Sequence, residues 1–509
     1  MLKKVRVILA ILFWTGITLL LLDFTGALHG WLGWMAKVQF LPAVMALNVA
    51  VIAGLVILTL VFGRVYCSVI CPLGVFQDGV AHLRVSRSKR RKNRKPYCYT
   101  PEFKWLRYGV WAIFVLSLAV GFNALVSILA PYSAWGRIVQ NLFQPLWLWG
   151  NNLLAAISER AGSYAFYGKE VWLRSLPTLI VAVVTIAVVV FLAWRGGRTY
   201  CNTVCPVGTT LSFFSRFAML RPVIDTAKCK NCKQCEHQCK ASCIDIDTHK
   251  IDYSRCVDCF NCIDSCKFGA LKYRFAWGGK DSAALQQDNG EPKHDNVTLS
   301  EANGSSGRRA FLAGTALAIG TAALKAQEKK VDGGLAAVLD KEIPRRKTPI
   351  TPPGSVSSKN MYSHCTACQL CVAECPNNVL RPSGSLEHFM QPESSYERGW
   401  CRPECTRCSE ICPSGAIRRI TMEEKTAIHI GTATIQRDLC VAEEGVGCGN
   451  CARHCPSGAI TMVTMEERGI TVPTIDKEIC IGCGACEYVC PARPLSAIRV
   501  EGNDIHHIR

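Results

Sequence analysis

Gly63-Arg64-Val65-Tyr66-Cys67-Ser68-Val69-Ile70-Cys71-Pro72-Leu73-Gly74 and Gly197-Arg198-Thr199-Tyr200-Cys201-Asn202-Thr203-Val204-Cys205-Pro206-Val207-Gly208 are two copies of one pattern. Each copy closes an apolar stretch, Phe40 to Phe62 before the first and Ser175 to Trp194 before the second. Two more apolar stretches, Val7 to Leu22 and Tyr108 to Ala130, complete two pairs. All four are near the roughly 20 residues that span a hydrocarbon core, so residues 1–215 are expected to form an α-helical membrane domain of four spans. An i, i+4 pair of cysteines shares one helix face, and Pro-x-Gly is expected to end the helix, so each copy presents two thiols at the inner surface. Two copies meeting make a four-thiol site of Cys67, Cys71, Cys201 and Cys205. Four thiolates suit zinc, one iron or an iron–sulfur cluster, with thiol redox chemistry and plain packing as the alternatives.

The chain has 509 residues and a formal net charge of +19, with a greasy first half and a polar second half. Eight basic residues fall between Arg84 and Lys95, beside an apolar stretch. That placement reads as a cytoplasmic anchor rather than a nucleic-acid surface, and nucleic acid is not expected as a partner. Lys3, Lys4 and Arg6 place the N-terminus on the same side, and an even number of crossings returns Arg195 there. Trp135, Trp147 and Trp149 near the uncharged Asn141 to Ile157 predict a helix at the outer interface.

Most of the thirty cysteines occur in tight runs of four, which excludes an ordinary disulfide framework. Over residues 216–277 the runs are Cys229, Cys232, Cys235, Cys239 and Cys256, Cys259, Cys262, Cys266, both C-x2-C-x2-C-x3-C. Three close thiolates wrap one cubane while the fourth reaches its neighbour. The expected ligand sets are therefore Cys229, Cys232, Cys235 with Cys266, and Cys256, Cys259, Cys262 with Cys239. Lys240 and Lys267 stand where proline usually follows the last cysteine, and Cys243 is a ninth thiol expected to pack against a cluster. Cys98 reads as an isolated structural thiol.

Residues 278–307 form a polar linker. Arg308-Arg309-Ala310-Phe311-Leu312 then opens a mildly apolar segment, 308–326, that resembles a twin-arginine export signal or anchor; a short core helix is the alternative. If the segment crosses, it is a fifth span and residues 350–509 are periplasmic. That last module holds sixteen cysteines in four proline-terminated runs: Cys365, Cys368, Cys371, Cys375; Cys401, Cys405, Cys408, Cys412; Cys440, Cys448, Cys451, Cys455; and Cys480, Cys483, Cys486, Cys490. Sixteen thiolates hold four cubanes, making six [4Fe-4S] clusters in two ferredoxin-like α+β modules. The regular spacing of the outer runs predicts that they exchange fourth ligands with each other, as the inner two do.

There is no C-x-x-C-His, P-loop, dinucleotide fingerprint or nucleophile motif. His364 and His454 precede cluster cysteines and read as surface or supporting residues, not ligands. The order of parts resembles the ferredoxin-type components of periplasmic nitrate reduction, NapH followed by NapG, and is also similar to the methylamine-utilization ferredoxins MauN and MauM. The resemblance covers nearly the whole chain except the linker. It implies a multi-pass protein of the inner membrane with the first module cytoplasmic, a quinol dehydrogenase component whose membrane part takes electrons from quinol and whose exported part passes them to a periplasmic reductase or cytochrome partner. The alternative is a membrane ferredoxin for maturation or regulation of a metalloenzyme. No haem or motif is seen to carry electrons across the bilayer, so a cluster at the four-thiol site or a partner subunit is required. Asp23, His29 and Gln39 near the outer span ends read as interfacial residues, and the quinol pocket is unassigned.

Overall fold

The computed structural model describes residues 2–90, 97–276, 339–466 and 469–508. The polar linker and the arginine-led segment 308–326 lie outside the described residues.

Helices dominate the first 215 residues. Two of them, Leu2–Leu22 and Leu176–Gly196, are long and apolar enough to cross a membrane, with mean hydropathy 2.3 and 2.8. The two middle stretches are not single helices. Phe40–Met45 and Val49–Phe62 are separated by Leu47, whose φ is 51°, and Asn48, whose side chain accepts from Val51 N–H and restarts the helix. Lys104–Val120 stops at Gly121, in the left-handed conformation that glycine adopts without strain, and Asn123–Leu129 and Pro131–Ile138 follow. The helix expected near Trp147 and Trp149 is present as Gln144–Arg160, with both exposed on it, whereas Trp135, grouped with them in the sequence, lies on Pro131–Ile138 and is fully buried.

Beyond the helical domain most elements are short, and in the first module the loops bend around cysteines more than around aliphatic residues. The first module pairs strands Leu220–Ile224 and Leu271–Phe275 antiparallel, with helices Gln234–Gln238 and Asn261–Ser265 each carrying cysteines. The last module pairs Ile428–Ile435 with Ile498–Ile508 and Ile460–Met465 with Ile470–Ile475.

These modules sit at opposite ends of the Leu2–Leu22 helix. Lys3 Nζ meets Asp264 of the first module at 2.7 Å. At the other end, Gly26 lies against Glu374 and Arg407 of the last module. A helix of 21 residues is about 30 Å long at 1.5 Å per residue. The last module also reaches inward onto the Asn123–Leu129 and Pro131–Ile138 helices: Asn123 Nδ2 donates to Tyr362 O (2.5 Å) and Ser133 Oγ to Thr366 O (2.6 Å). One continuous apolar core consequently includes Cys259 of the first module, Cys67, Cys71 and Cys205, the fully buried Trp135, and Cys365, Cys368 and Cys371 of the last module.

Gly136 makes that docking close. A Cβ there would run into the carbonyl oxygen of Cys368, which is backbone held in a cysteine loop and cannot swing away. Gly136→Ala is expected to destabilise the docked state by about 1–3 kcal/mol, the usual cost of overpacking. The check is limited proteolysis, in which cleavage of the last module should quicken in the variant.

Candidate metal centres

The two copies of the repeat fold into a near-symmetric pair. In each, the first cysteine lies on a helical turn, Tyr66–Ile70 in one copy and Thr199–Thr203 in the other. The second cysteine is extended, and its proline begins the next helix rather than ending the last one, so Pro72 opens Pro72–Arg90 and Pro206 opens Pro206–Ser215. The Pro-x-Gly expectation therefore had the right break with the wrong direction. All four thiols are 4–5% exposed, and each of Cys71 and Cys205 lies within electrostatic reach of the other three.

The arginine of each copy serves the other copy. Arg64 Nη2 donates to Cys201 O (3.3 Å) and approaches Cys67 Sγ (3.8 Å). Arg198 Nη1 donates to Cys67 O (2.7 Å) and approaches Cys201 Sγ (3.6 Å). Gly74 and Gly208 leave the space: a Cβ at Gly74 would strike Cys67 O and Arg198, and one at Gly208 would strike Cys201 O and Arg64. Neither arginine was among the residues expected from the sequence to serve the site, although their place in the repeated Gly-Arg-x-Tyr-Cys was a visible signal. Gln77 Nε2 adds a contact to Cys201 Sγ at 3.3 Å.

The first module is fastened to this pair. Arg64 N–H donates to Asp258 Oδ2 (2.9 Å), Arg198 N–H donates to Lys240 O (2.7 Å), and Arg64 Nη1 and Arg107 Nη2 both donate to Ser254 O. Asp78 binds Arg6, Arg198 and Lys240 at 2.6, 2.7 and 3.0 Å, joining the N-terminal helix, the second repeat and the first module in one ion cluster. Burial pushes the Asp258 carboxyl up to about 7, against the pull of the Arg64 N–H.

Within the first module the cysteines ring two cavities. Cys256, Cys259, Cys262 and Cys239 line one, with Cys243 beside Cys239 at 3.5 Å between sulfurs; Cys229, Cys232, Cys235 and Cys266 line the other. Each ring takes three thiols from one run and the last thiol of the other run.

In the last module the exchange runs between neighbours in sequence, which corrects the outer-with-outer expectation. Cys412 is the outside neighbour of Cys365, Cys368 and Cys371. Cys375 is that of Cys401 and Cys408. A cavity lined by Cys480, Cys483 and Cys486 is completed by Cys455, and Cys440, Cys448 and Cys451 lie together. Cys401 N–H donates to Cys483 O at 2.9 Å, so the second and fourth loops touch. His364 and His454 hydrogen-bond through Nδ1 to backbone oxygens of their own turns, Asn360 O and Asn450 O.

The donor chemistry fits clusters. Burial pushes the thiols of Cys235, Cys368 and Cys451 up to about 11 and that of Cys483 up to about 12, so at neutral pH they ionise only against strongly positive neighbours such as irons. Among the described residues no three His, Cys, Asp or Glu side chains converge closely enough to hold a single metal ion. Rings that surround space, rather than a point, suit a multinuclear group.

Known proteins carry the same parts. A 4Fe-4S binding domain model matches twice, over residues 44–93 and 176–223, which contain the two copies of the repeat. A 4Fe-4S dicluster domain model matches residues 446–493, joining the third and fourth C-terminal runs in one unit, in keeping with neighbour exchange. The methylamine utilization ferredoxin-type protein MauM of Methylobacillus flagellatus is 31% identical over 107 residues, 20% of this chain and 44% of its own length. The ferredoxin-type protein NapH of Haemophilus influenzae is 29% identical over 177 residues, 35% and 47% of the two chains. NapG of Escherichia coli is 28% identical over 130 residues, 23% and 54%. The chain thus spans about half the length of each of these relatives, and no solved structure matches. The runs, the duplicated motif and these alignments make this chain a ferredoxin-type iron–sulfur protein similar to the Nap and Mau ferredoxin-type proteins.

Proposed function

We propose that this chain is a NapH–NapG-like fusion of the inner membrane that oxidises quinol and delivers the electrons to a periplasmic reductase or cytochrome partner, with the first module cytoplasmic and the last module periplasmic. The observation that carries this reading is the single core running from Cys259 past the four-thiol site to Cys365, Cys368 and Cys371. It supports a path between the two modules by way of the four-thiol site. The segment 308–326 would be the fifth crossing or the export signal that this topology needs.

Quinol becomes quinone by releasing two electrons and two protons. When bound, each cubane takes up and gives up one electron at a time, so an array can divide the pair. The chain's own residues supply the order. Cys256, Cys259, Cys262 and Cys239 hold the first-module centre next to the four-thiol site, since Asp258 and Lys240 flank those cysteines and bind the repeats. Cys229, Cys232, Cys235 and Cys266 hold the outlying one. In the last module Cys365, Cys368, Cys371 and Cys412 lie nearest the helical domain, Cys401, Cys405, Cys408 and Cys375 follow, then Cys480, Cys483, Cys486 and Cys455, leaving Cys490 to complete the set of Cys440, Cys448 and Cys451.

The four-thiol site is read as a seventh, anionic centre. Arg6, Arg64, Arg198 and Lys240 are all buried there, against Asp78 and Asp258. Neutral thiols or a disulfide would leave a buried excess of positive charge, which is costly; thiolates around a metal or cluster cancel it.

Iron and acid-labile sulfide per chain, measured with electron paramagnetic resonance of the reduced protein, test the centres. About 24 irons fill the six cubanes, more fill the four-thiol site as well, and a colourless, zinc-loaded preparation would sink the reading. Cys266→Ser should remove the signal of the Cys229, Cys232, Cys235 centre, and Cys239→Ser that of its neighbour, at a loss of up to about four irons each. Anaerobic addition of menaquinol should bleach the visible absorbance of the oxidised protein. Failure of every quinol to do so, with copper bound at Cys67, Cys71, Cys201 and Cys205, would transfer the protein to the metalloenzyme-maturation class.

A further inference from the structure

A cavity partly open to solvent lies where the Gln144–Arg160 helix, the segment 169–174 and the first C-terminal cysteine loop meet. Phe24, Leu148 and Trp172 give it apolar and aromatic walls. Into it come two glutamines from different domains, Gln144, 3% exposed, and Gln369, 2% exposed, and the amide nitrogens of both lack any hydrogen-bond partner. A buried donor left unsatisfied is destabilising, and here two of them face one cavity, where an acceptor would satisfy both. The neighbouring Gln140 is different: its Oε1 is already held by Arg174 Nη1 at 2.8 Å.

The surroundings narrow the chemistry. Lys169, Glu170 and Arg174 also line the cavity, but the two unpaired donors at its buried end are neutral amides, which suit acceptor oxygens on the ligand. The outer face of the same helix, Leu146, Trp147 and Trp149, together with Leu173, is exposed and apolar, as a route for a lipid-soluble molecule requires. Gln369 lies between Cys368 and Cys371 of the first C-terminal run, and its backbone φ of 62° turns it out of the cysteine loop. A ligand bonded to it therefore sits beside the centre held by that run.

We propose that this cavity binds the headgroup of the membrane quinol, with Gln144 and Gln369 donating to its two oxygens; the identity of the ligand rests on the quinol reading above. The test uses the full chain in lipid nanodiscs and an alkyl hydroxyquinoline N-oxide, a fluorescent quinol analogue that is quenched on binding. Wild type should bind it, Gln144→Leu and Gln369→Leu should each weaken binding about tenfold, as expected for losing one buried hydrogen bond, and Leu148→Trp should abolish it by filling the space. Cluster reduction by dithionite should be unchanged in all four proteins, which separates the site from general damage. The proposal is overturned if wild type does not bind the analogue, or if both leucine variants bind it as wild type does. Should quinol bleach the wild-type clusters while binding is unaltered in the variants, the site falls and quinol oxidation stands. Should the analogue respond as expected while no quinol reduces the protein, the site stands and quinol oxidation falls.

Discussion

A buried thiol becomes a thiolate only where positive charge waits for it, and this constraint shapes the molecule from end to end. In the two cysteine-rich modules, irons are the natural source of that charge, and the cysteine loops enclose space for them while burial alone holds the thiols protonated. Little else could make these loops fold. The core of the first module consists largely of cysteines with a few residues such as Ile244, Ile246 and Leu271, so ligand binding supplies much of its folding free energy. In the helical domain the protein's own cations, Arg64 and Arg198, stand against Cys67 and Cys201.

How far the residues announced this depends on whether the information is local. Ligand spacing is local, and C-x2-C-x2-C-x3-C already implied the crossing that the first module displays at Cys239 and Cys266. The duplicated motif was equally plain, since chance does not set glycine, arginine, tyrosine, two cysteines and proline at the same spacing twice in one chain. What stayed hidden was the spatial partner. Regular spacing in the outer C-terminal runs suggested that like joins like, whereas Cys455 turns to the Cys480 run and Cys412 to the Cys365 run because each pair of loops is consecutive and short connections favour neighbours.

Hydropathy misled in a similar way. Phe40 to Phe62 and Tyr108 to Ala130 are apolar throughout, yet Leu47 and Gly121 bend the chain, for reasons of backbone conformation that an average over side chains does not register. The docking of the last module was unreadable for another reason. Gly136 and Cys368 are far apart in sequence, and nothing in either segment names the other. The same holds for the cavity between Gln144 and Gln369, each an ordinary polar residue until both are found buried at one place.

The duplication also explains why neither copy of the repeat could work alone. Each arginine closes over the other copy's backbone, so removing one half would leave a buried guanidinium without the carbonyl it donates to. The symmetry ends where the first module docks. Gln77 and Asp78 of the first copy correspond to Leu211 and Ser212 of the second, and it is Asp78 that gathers Arg198 and Lys240. Gly63 and Gly197 are equivalent, but a Cβ on one would meet Asp258 and on the other Lys240, residues that flank the same ring of cysteines from two sides. A two-fold platform thus receives one ring, not two, and the polar substitutions in a single copy are the means by which it does so.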